Sequence, residues 1–232
     1  MKQHIAISEF IRCRLQLVGL PGEKIALVYN GVDTAAFVPG PVARADVRRR
    51  MGAGPDTTVL IFAATLLEWK RPEVALKALA ELVRRGENVQ LWMAGAGPLR
   101  ASLEKMSEAL GIVPQLKWVG HQKELQRWMA GADLFVHTSV GEAFGNVFVE
   151  ALSCGLPVVA SRSGTAEELV RADGEAKTGK LVAVDDGEVC GFADAVVALI
   201  GDRESYGRMS QAIVISHTLV WRCGLVDSGD GV

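Results

Sequence analysis

Short apolar runs alternate with amphipathic helical patterns along the chain from residue 57 onward. Most of these runs are rich in Val, Leu or Ile without strict alternation of apolar and polar positions, which is typical of parallel strands covered on both faces. Strands that alternate with helices at this spacing predict an α/β fold, built on a Rossmann-like, doubly wound parallel sheet. The predicted strands are Thr58–Ala63, Val89–Ala94, Leu116–Val119, Leu134–His137, Pro157–Ala160 and Leu181–Val184.

Two of the intervening helices have well-marked ends. Pro72 begins the first and Gly86 follows its last turn, while Pro98 begins the second and Gly111 ends it. Proline is favoured in the first turn of a helix and glycine just past the last one, so these residues predict both boundaries.

The amino-terminal segment has a different pattern. Ile5–Ser8 is predicted to end a strand that leads into a helix from Glu9 to about Leu17, and another strand is predicted around Ile25–Val28. We interpret this segment as the end of a separate domain that a hinge joins to the main sheet. A further helix is predicted past Gly201, and the carboxyl end is expected to fray.

Composition and charge describe an ordinary globular protein. The chain has 232 residues, of which 49% are apolar and 22% charged, so it can bury a substantial core. A net charge of −2 gives no electrostatic reason to expect nucleic acid. The four cysteines and four histidines lack metal-ligand spacing, and neither a signal peptide nor an apolar run of membrane-spanning length is present. We therefore expect a cytoplasmic protein with reduced thiols.

The densest basic run is Arg48-Arg49-Arg50. We interpret it as one solvated face of a helix, and the alternative is a peripheral contact with headgroups at the inner face of a membrane. Both interpretations place the three side chains at the surface.

Loops rich in glycine and small polar residues follow four of the predicted strands. Ligands of doubly wound sheets bind past the carboxyl ends of the strands, and parallel strands bring these ends to one edge. The loops therefore converge on one candidate binding edge. They are Gly95–Pro98, Gly120-His121, Ser139–Gly145 and Ser161–Gly164.

Two glutamates stand on either side of a predicted helix start. Glu142 lies in the loop before the helix, and Glu150 lies inside it among apolar residues. An unpaired charge there is costly, so Glu150 should meet a hydrogen-bond donor such as a ribose or sugar hydroxyl. A solvent-facing position or a buried salt bridge would explain Glu150 without a ligand. Glu142 would also be favourable simply as a charge near a helix N-terminus.

Positive groups are expected beside these carboxylates. Gly145 and Asn146 mark the helix N-terminus, where backbone N–H groups and the helix dipole suit a diphosphate, although a helix start without a ligand has the same pattern. Lys70 and Arg71 precede the helix at Pro72, where they would either neutralise a diphosphate leaving group or be solvated.

Two familiar alternatives are disfavoured. Gly95–Gly97 opens a helix after a strand, but Arg100 replaces the last glycine of the dinucleotide fingerprint and Lys117 stands where an acidic residue is wanted. A nicotinamide-dependent dehydrogenase is therefore disfavoured. No Asp-x-Asp motif indicates a metal-held diphosphate. We interpret His121 and His137 as satisfied loop or core histidines.

Taken together, these segments resemble the retaining, nucleotide-sugar-dependent glycosyltransferases of family 4, which have the GT-B fold. The likeness runs from about Ile5 to about Met209. Its most specific part runs from Glu142 through Glu150 to Ser161 and follows the family's Glu-x7-Glu region almost letter for letter. Other matching segments are Ile5–Glu9, Val28–Asp33, Lys70-Arg71, Ala94–Pro98, Val119-Gly120, Ala132–Val136 and Ser139.

The resemblance implies one half of a GT-B fold that binds a UDP- or GDP-sugar donor. Catalytic roles are implied for Glu142, at the donor sugar, and for Lys70, at the diphosphate, while Glu150 would hold the ribose hydroxyls. Transfer would retain the anomeric configuration through an oxocarbenium-like state, with no metal and no cofactor. The other implied donor-binding residues are Arg71, Gly97, Gly120, His121, Phe144, Gly145 and Asn146.

The resemblance also has departures. Residues 1–29 match only the end of the amino-terminal acceptor domain and its hinge. Residues 30–217 are assigned to the donor-binding domain, but the chain after about Ser210 does not resemble the family's returning helix, and residues 218–232 form the expected frayed tail. Ala64-Thr65 replaces the family's Gly-Arg, so one diphosphate cation is lost unless Arg71 compensates. We therefore expect a chain that binds the donor but transfers little or no sugar alone.

Two other functions stay open. The chain could be a non-catalytic subunit that binds a separate acceptor-domain chain through surfaces around Ile5–Leu20 and Ala212–Trp221. It could also be a nucleotide-sugar epimerase of the same fold, which would need a histidine–carboxylate network that the sequence does not locate. The sequence does not specify the acceptor, a saccharide or a lipid.

Overall fold

The computed structural model describes residues 3–38, 40–173 and 177–201, and no helix in these ranges is long and apolar enough to cross a membrane. The strands are β1 (His4–Ala6), β2 (Ile25–Leu27), β3 (Thr58–Ala63), β4 (Val89–Ala94), β5 (Leu116–Gly120), β6 (Leu134–His137), β7 (Val158–Ser161) and β8 (Gly179–Val182). The helices are α1 (Glu9–Leu17), α2 (Pro41–Met51), α3 (Pro72–Arg84), α4 (Arg100–Ala109), α5 (Leu125–Gly131), α6 (Asn146–Ser153), α7 (Ala166–Leu169) and α8 (Glu188–Gly201), with 3₁₀ turns at Gly22–Lys24 and Glu68–Lys70. The helix predicted past residue 201, the apolar stretch 212–221 and the tail 218–232 lie outside the described residues.

Six parallel strands form the central sheet in the order β5-β4-β3-β6-β7-β8. The chain builds outward from β3 to one edge and then returns to place β6 on the other side of β3, so the topological switch point lies between β3 and β6. α3 contacts α4 and α8, whereas α5 contacts α2 and α6, which covers both faces of the sheet. The doubly wound α/β fold predicted from the sequence is confirmed.

The six predicted strands are confirmed, with shifted ends in three of them. β5 continues to Gly120, and β7 begins at Val158 because Pro157 has no N–H to donate to the ladder. β8 begins at Gly179, earlier than predicted. A Cβ there would stand 2.0 Å from the Val158 carbonyl oxygen, so close pairing with β7 requires this glycine despite its low strand propensity.

The helices with marked ends need one adjustment. α3 begins at Pro72, as predicted. α4 begins at Arg100 rather than at Pro98, because the preceding residues form a turn in which the Arg100 N–H donates to the Gly97 carbonyl oxygen at 3.2 Å.

The amino-terminal segment forms a small β–α–β unit. β1 and β2 pair in parallel, and α1 covers the predicted range. The carboxylate of Glu168 in α7 accepts the N–H groups of Glu9 and Phe10 at 2.8 and 2.7 Å. Glu168 thus accepts hydrogen bonds from two N–H groups at the start of α1 that have no intrahelical partners.

Arg48 shows that the solvated-face interpretation of the basic run is wrong at one position. Its side chain is buried, and its guanidinium donates to Asp133 at 2.9 Å and to backbone carbonyl oxygens. Asp133 precedes β6 and also accepts the Val59 N–H of β3 at 2.7 Å. Arg49 and Arg50 are exposed, as expected. Arg48 therefore stabilises the junction of β3 with β6.

Replacing Arg48 with Met should lower the free energy of unfolding by about 2–4 kcal/mol, because Asp133 loses a buried cationic partner while Arg44 remains. Urea unfolding measures the change. The matched control is Arg50→Met at an exposed position, which should alter the free energy by less than about 0.5 kcal/mol. Equal losses in the two variants would contradict the structural role of Arg48.

Candidate functional site

Lys70 and Glu142 meet at the switch point of the sheet. Lys70 ends the 3₁₀ turn after β3 and Glu142 lies in the loop after β6, so neighbouring strands bring both residues to one edge. Nζ of Lys70 forms an ion pair with Oε2 of Glu142. The hydroxyl of Thr138 lies 2.9 and 2.8 Å from the carbonyl oxygens of Lys70 and Arg71, which ties the two loops together.

Three potential donors surround one oxygen of the Glu142 carboxylate. Besides Lys70, the Ser139 hydroxyl lies 3.3 Å and the His137 Nε2 atom 3.4 Å from Oε2. Burial works to raise the pKa of Glu142, but the contacts with His137 and Lys70 outweigh it and lower this pKa to about 2. Glu142 is therefore a carboxylate at neutral pH.

Hydroxyl groups from distant parts of the chain fix the loop that carries Glu142. Oγ1 of Thr165 lies 2.9 and 2.7 Å from the carbonyl oxygens of Glu142 and Ala143. The Ser8 hydroxyl of the amino-terminal segment donates to the Ala143 carbonyl oxygen at 2.6 Å. A Cβ at Gly164 would stand 2.6 Å from the Glu142 carbonyl oxygen, so this close approach requires glycine.

The start of α6 has the form expected of an anion site. Gly145 caps the helix with a φ of 70°. The Phe148 N–H donates to the Gly145 carbonyl oxygen at 2.9 Å, whereas the N–H groups of Asn146 and Val147 lack intrahelical acceptors at the positive end of the helix dipole. Phe144 is buried against Tyr29, with ring centroids 6.1 Å apart. Oδ1 of Asn146 accepts a hydrogen bond from Asn30 at 2.9 Å. The segment of chain between the two glutamates thus contains Phe144, Gly145 and Asn146.

Glu150 lines a cavity of about 650 Å³ at this edge. Its side chain is half-buried, and burial raises its pKa. Within the described ranges, no ion-pair partner or side-chain donor contacts its carboxylate, so a salt bridge does not explain its position. Other lining residues include Thr65, Gly95, His121, Gln122 and Asn146.

Packing explains the glycines after β4. A Cβ at Gly97 would stand 2.5 Å from the Leu66 carbonyl oxygen, so the loops after β3 and β4 touch only because this residue is glycine. Gly97 is not among the lining residues of the cavity, whereas His121 is, and Gly120 precedes His121 with a φ of 73°. Donor contacts of Gly97, Gly120 and His121 stay predictions.

Arg71 is held by a partner that sequence reasoning missed. It adopts a φ of 51°, and its guanidinium donates to the Glu188 carboxylate at 3.1 and 2.5 Å. Glu188 is buried and also accepts the Ser161 hydroxyl at 2.8 Å. A diphosphate contact of Arg71 stays a prediction and would have to compete with Glu188.

His137 is not the satisfied core histidine that we expected. It is buried, but neither ring nitrogen has a hydrogen-bond partner among the described residues. Burial also lowers the pKa of His137, so its ring is neutral at pH 7. The only signal in the sequence was a polar residue at the end of the apolar strand Leu134–His137.

Comparison with known proteins identifies a family and several relatives that the chain resembles. The sequence model of the family described as glycosyl transferases group 1 matches residues 44–213. The chain is 33% identical over 219 residues to the GDP-mannose-dependent alpha-(1-6)-phosphatidylinositol monomannoside mannosyltransferase of Mycolicibacterium smegmatis, covering 90% of the chain and 55% of that protein. It is 36% identical over 204 residues to the D-inositol 3-phosphate glycosyltransferase of Pseudarthrobacter chlorophenolicus, covering 85% of the chain and 47% of that protein.

Solved structures share the fold. Anabaena HepE, crystallised with UDP and glucose, superimposes with a TM-score of 0.84 at 26% identity over 94% of the chain and 59% of HepE. WaaG, a glycosyltransferase involved in lipopolysaccharide biosynthesis, has a TM-score of 0.78 at 19% identity over 97% of the chain and 62% of WaaG. The chain spans about half the length of the curated relatives that it matches.

Lowering the pH should remove the stabilisation that Glu142 provides. Because its folded pKa of about 2 lies below its ordinary value of 4.5, the contribution is fully present above pH 4.5 and is lost as the pH falls toward 2. The free energy of unfolding should therefore differ most between wild type and Glu142→Gln at neutral pH. Urea titrations at several pH values measure the difference, and a difference that does not change with pH would contradict the ion pair with Lys70.

Proposed function

Because the chain belongs to the glycosyl transferases group 1 family, we propose that it binds the nucleoside diphosphate sugar that donates a sugar in a transfer reaction. The observation that carries this proposal is the meeting of Lys70 and Glu142 at the β3/β6 switch point, beside the cavity that Glu150 lines. The names of relatives support it, since one depends on GDP-mannose and HepE was crystallised with UDP and glucose.

We assign each part of the donor to the groups at this edge of the sheet that could bind it. The diphosphate would lie at the start of α6, where the N–H groups of Asn146 and Val147 and the side chain of Lys70 supply positive charge. The ribose hydroxyls would donate to Glu150, the carboxylate without a partner in the described residues. The base would lie near Gly120 and His121, and the sugar would lie against Glu142.

The proposed reaction is a transfer with retention of the anomeric configuration. The sugar would pass through an oxocarbenium-like state, and negative charge would develop on the departing diphosphate. Lys70 and the N-terminus of α6 would stabilise this charge without a metal ion, because fixed dipoles and cations act strongly where water is excluded. We propose a UDP- or GDP-sugar as the donor and a saccharide or lipid as the acceptor, at or near the inner face of a membrane.

One second candidate is favoured by a specific observation. Ile5, Leu17 and Val18 in the amino-terminal segment are 65%, 84% and 77% exposed. Such a surface suits a non-catalytic subunit that binds a separate acceptor-domain chain, and co-purification with that chain would support this candidate. An epimerase is a weaker alternative, although His137 does lie against Glu142. Product analysis with a nucleotide sugar alone would separate it.

Titration calorimetry with UDP- and GDP-sugars up to millimolar concentration tests donor binding. We expect Lys70→Met to weaken binding at least about tenfold, because a charge-assisted contact with the diphosphate is lost. Lys77→Met, at an exposed position of α3, is the matched control and should bind as wild type does. The donor-site proposal fails if no nucleoside diphosphate sugar binds the wild-type chain.

Glu150→Gln should weaken binding of the nucleoside diphosphate and of the nucleotide sugar to the same extent, by about tenfold or more. The reason is that both ligands carry the ribose whose hydroxyls would donate to this carboxylate. The same calorimetry, with Glu108→Gln on the exposed face of α4 as control, measures the effect. Unchanged affinity in Glu150→Gln would contradict the ribose assignment.

A further inference from the structure

The Glu142 carboxylate is held from one side only. Lys70, Ser139 and His137 all contact Oε2. No described residue is seen to contact Oε1 through a hydrogen bond or ion pair. The arrangement fixes one oxygen within the protein and leaves the other free for a ligand hydroxyl.

His137 is a buried polar group without a hydrogen bond in the described structure. Its side chain is 2% exposed and lies between the rings of Phe135 and Phe148, with centroids 5.8 and 4.5 Å away. An unsatisfied polar atom in such surroundings costs on the order of 1–3 kcal/mol. The packing of two aromatic rings would be served equally well by an apolar residue, so packing alone does not explain a histidine here.

Lys70 has two competing partners once a donor is present. In the structure it neutralises Glu142, whereas the proposed function requires it to face the diphosphate. Arg71 cannot replace it without leaving Glu188. If Lys70 turns toward the diphosphate, Oε2 keeps two potential donors, Ser139 and His137.

We propose that His137 is a positioning residue that holds Glu142 when Lys70 turns to the donor. This inference rests on the proposed function. The neutral ring carries its proton on Nε2, and the 3.4 Å separation from Oε2 shortens to a hydrogen bond as the Lys70 contact is lost. Glu142 then stays ionised with Oε1 toward a hydroxyl of the sugar.

Nitrogen-15 NMR of histidine-labelled full chain tests this directly, with UDP-glucose and GDP-mannose as probes. His137→Leu identifies the signals of His137. Donor binding should shift the Nε2–H signal of His137 to that of a hydrogen-bonded donor in the Nε2–H tautomer. The signals of His121, which lines the cavity, report donor binding independently.

The outcomes separate the two proposals. If His121 responds to the nucleotide sugar and His137 does not, the positioning role is overturned and donor binding stands. If neither histidine responds and calorimetry detects no binding, both proposals are overturned.

Affinity provides a second measurement. His137→Leu should weaken binding of the nucleotide sugar about five- to tenfold and binding of the nucleoside diphosphate by less, because both ligands draw Lys70 away but only the sugar contacts Oε1. His137→Gln, which keeps an N–H donor, should restore affinity to within about twofold. His4→Leu at an exposed position is the control. A His137→Leu variant that loses affinity for both ligands equally and unfolds at lower temperature would show a merely structural role and overturn the proposal.

Discussion

The parallel pairing of β3 with β6 is the constraint on which the candidate site depends. Leu60 pairs with Leu134 and Ile61 with Phe135, so the middle of this junction is apolar and specifies register only through packing. Polar ties lie at its two ends: Asp133 accepts the Val59 N–H before the strands pair, and Thr138 contacts the loop of Lys70 after them. A slip of one residue would break both ties and separate Lys70 from Glu142.

Among the described residues of this edge, positive charge is scarce, and this shortage limits which groups can contact an anion. Thr65 stands in the cavity wall where the family resemblance leads one to expect an arginine, and Arg71 is engaged by the buried Glu188. Lys70 and the first turn of α6 are therefore the groups that can approach an incoming diphosphate. Because Lys70 also forms an ion pair with Glu142, the proposed binding of a donor would change the contacts of that carboxylate, and a second group that holds Glu142 would then be needed.

The fold was largely predictable from the sequence, because a buried parallel strand is a local pattern. The ends of the strands were less predictable, because they depend on contacts across the sheet. Gly179 is an example, since the close approach of its backbone to Val158 requires glycine there. The convergence of Lys70 and Glu142 on one edge was also predictable, because it follows from parallel topology. The pairing of Arg71 with Glu188 was not, since no periodicity links residues 117 positions apart. The same limit applies to Arg48, whose basic neighbours suggested a solvated face.

The pKa values of the two glutamates of the Glu-x7-Glu stretch shift in opposite directions, and this difference follows from what surrounds them. Glu142 is already ionised and held, so it can act on a ligand only through the oxygen that its partners leave free. Glu150 is half-buried without a partner in the described residues, so a hydroxyl donor would relieve its cost. The loop that carries Glu142 is in turn held by Ser8. Its hydroxyl donates to the carbonyl oxygen of Ala143, which lies 135 positions away along the chain. The domain boundary at residue 29 stays a prediction, but the amino-terminal segment contributes to the geometry of Glu142 and is therefore part of the structure that forms the candidate site.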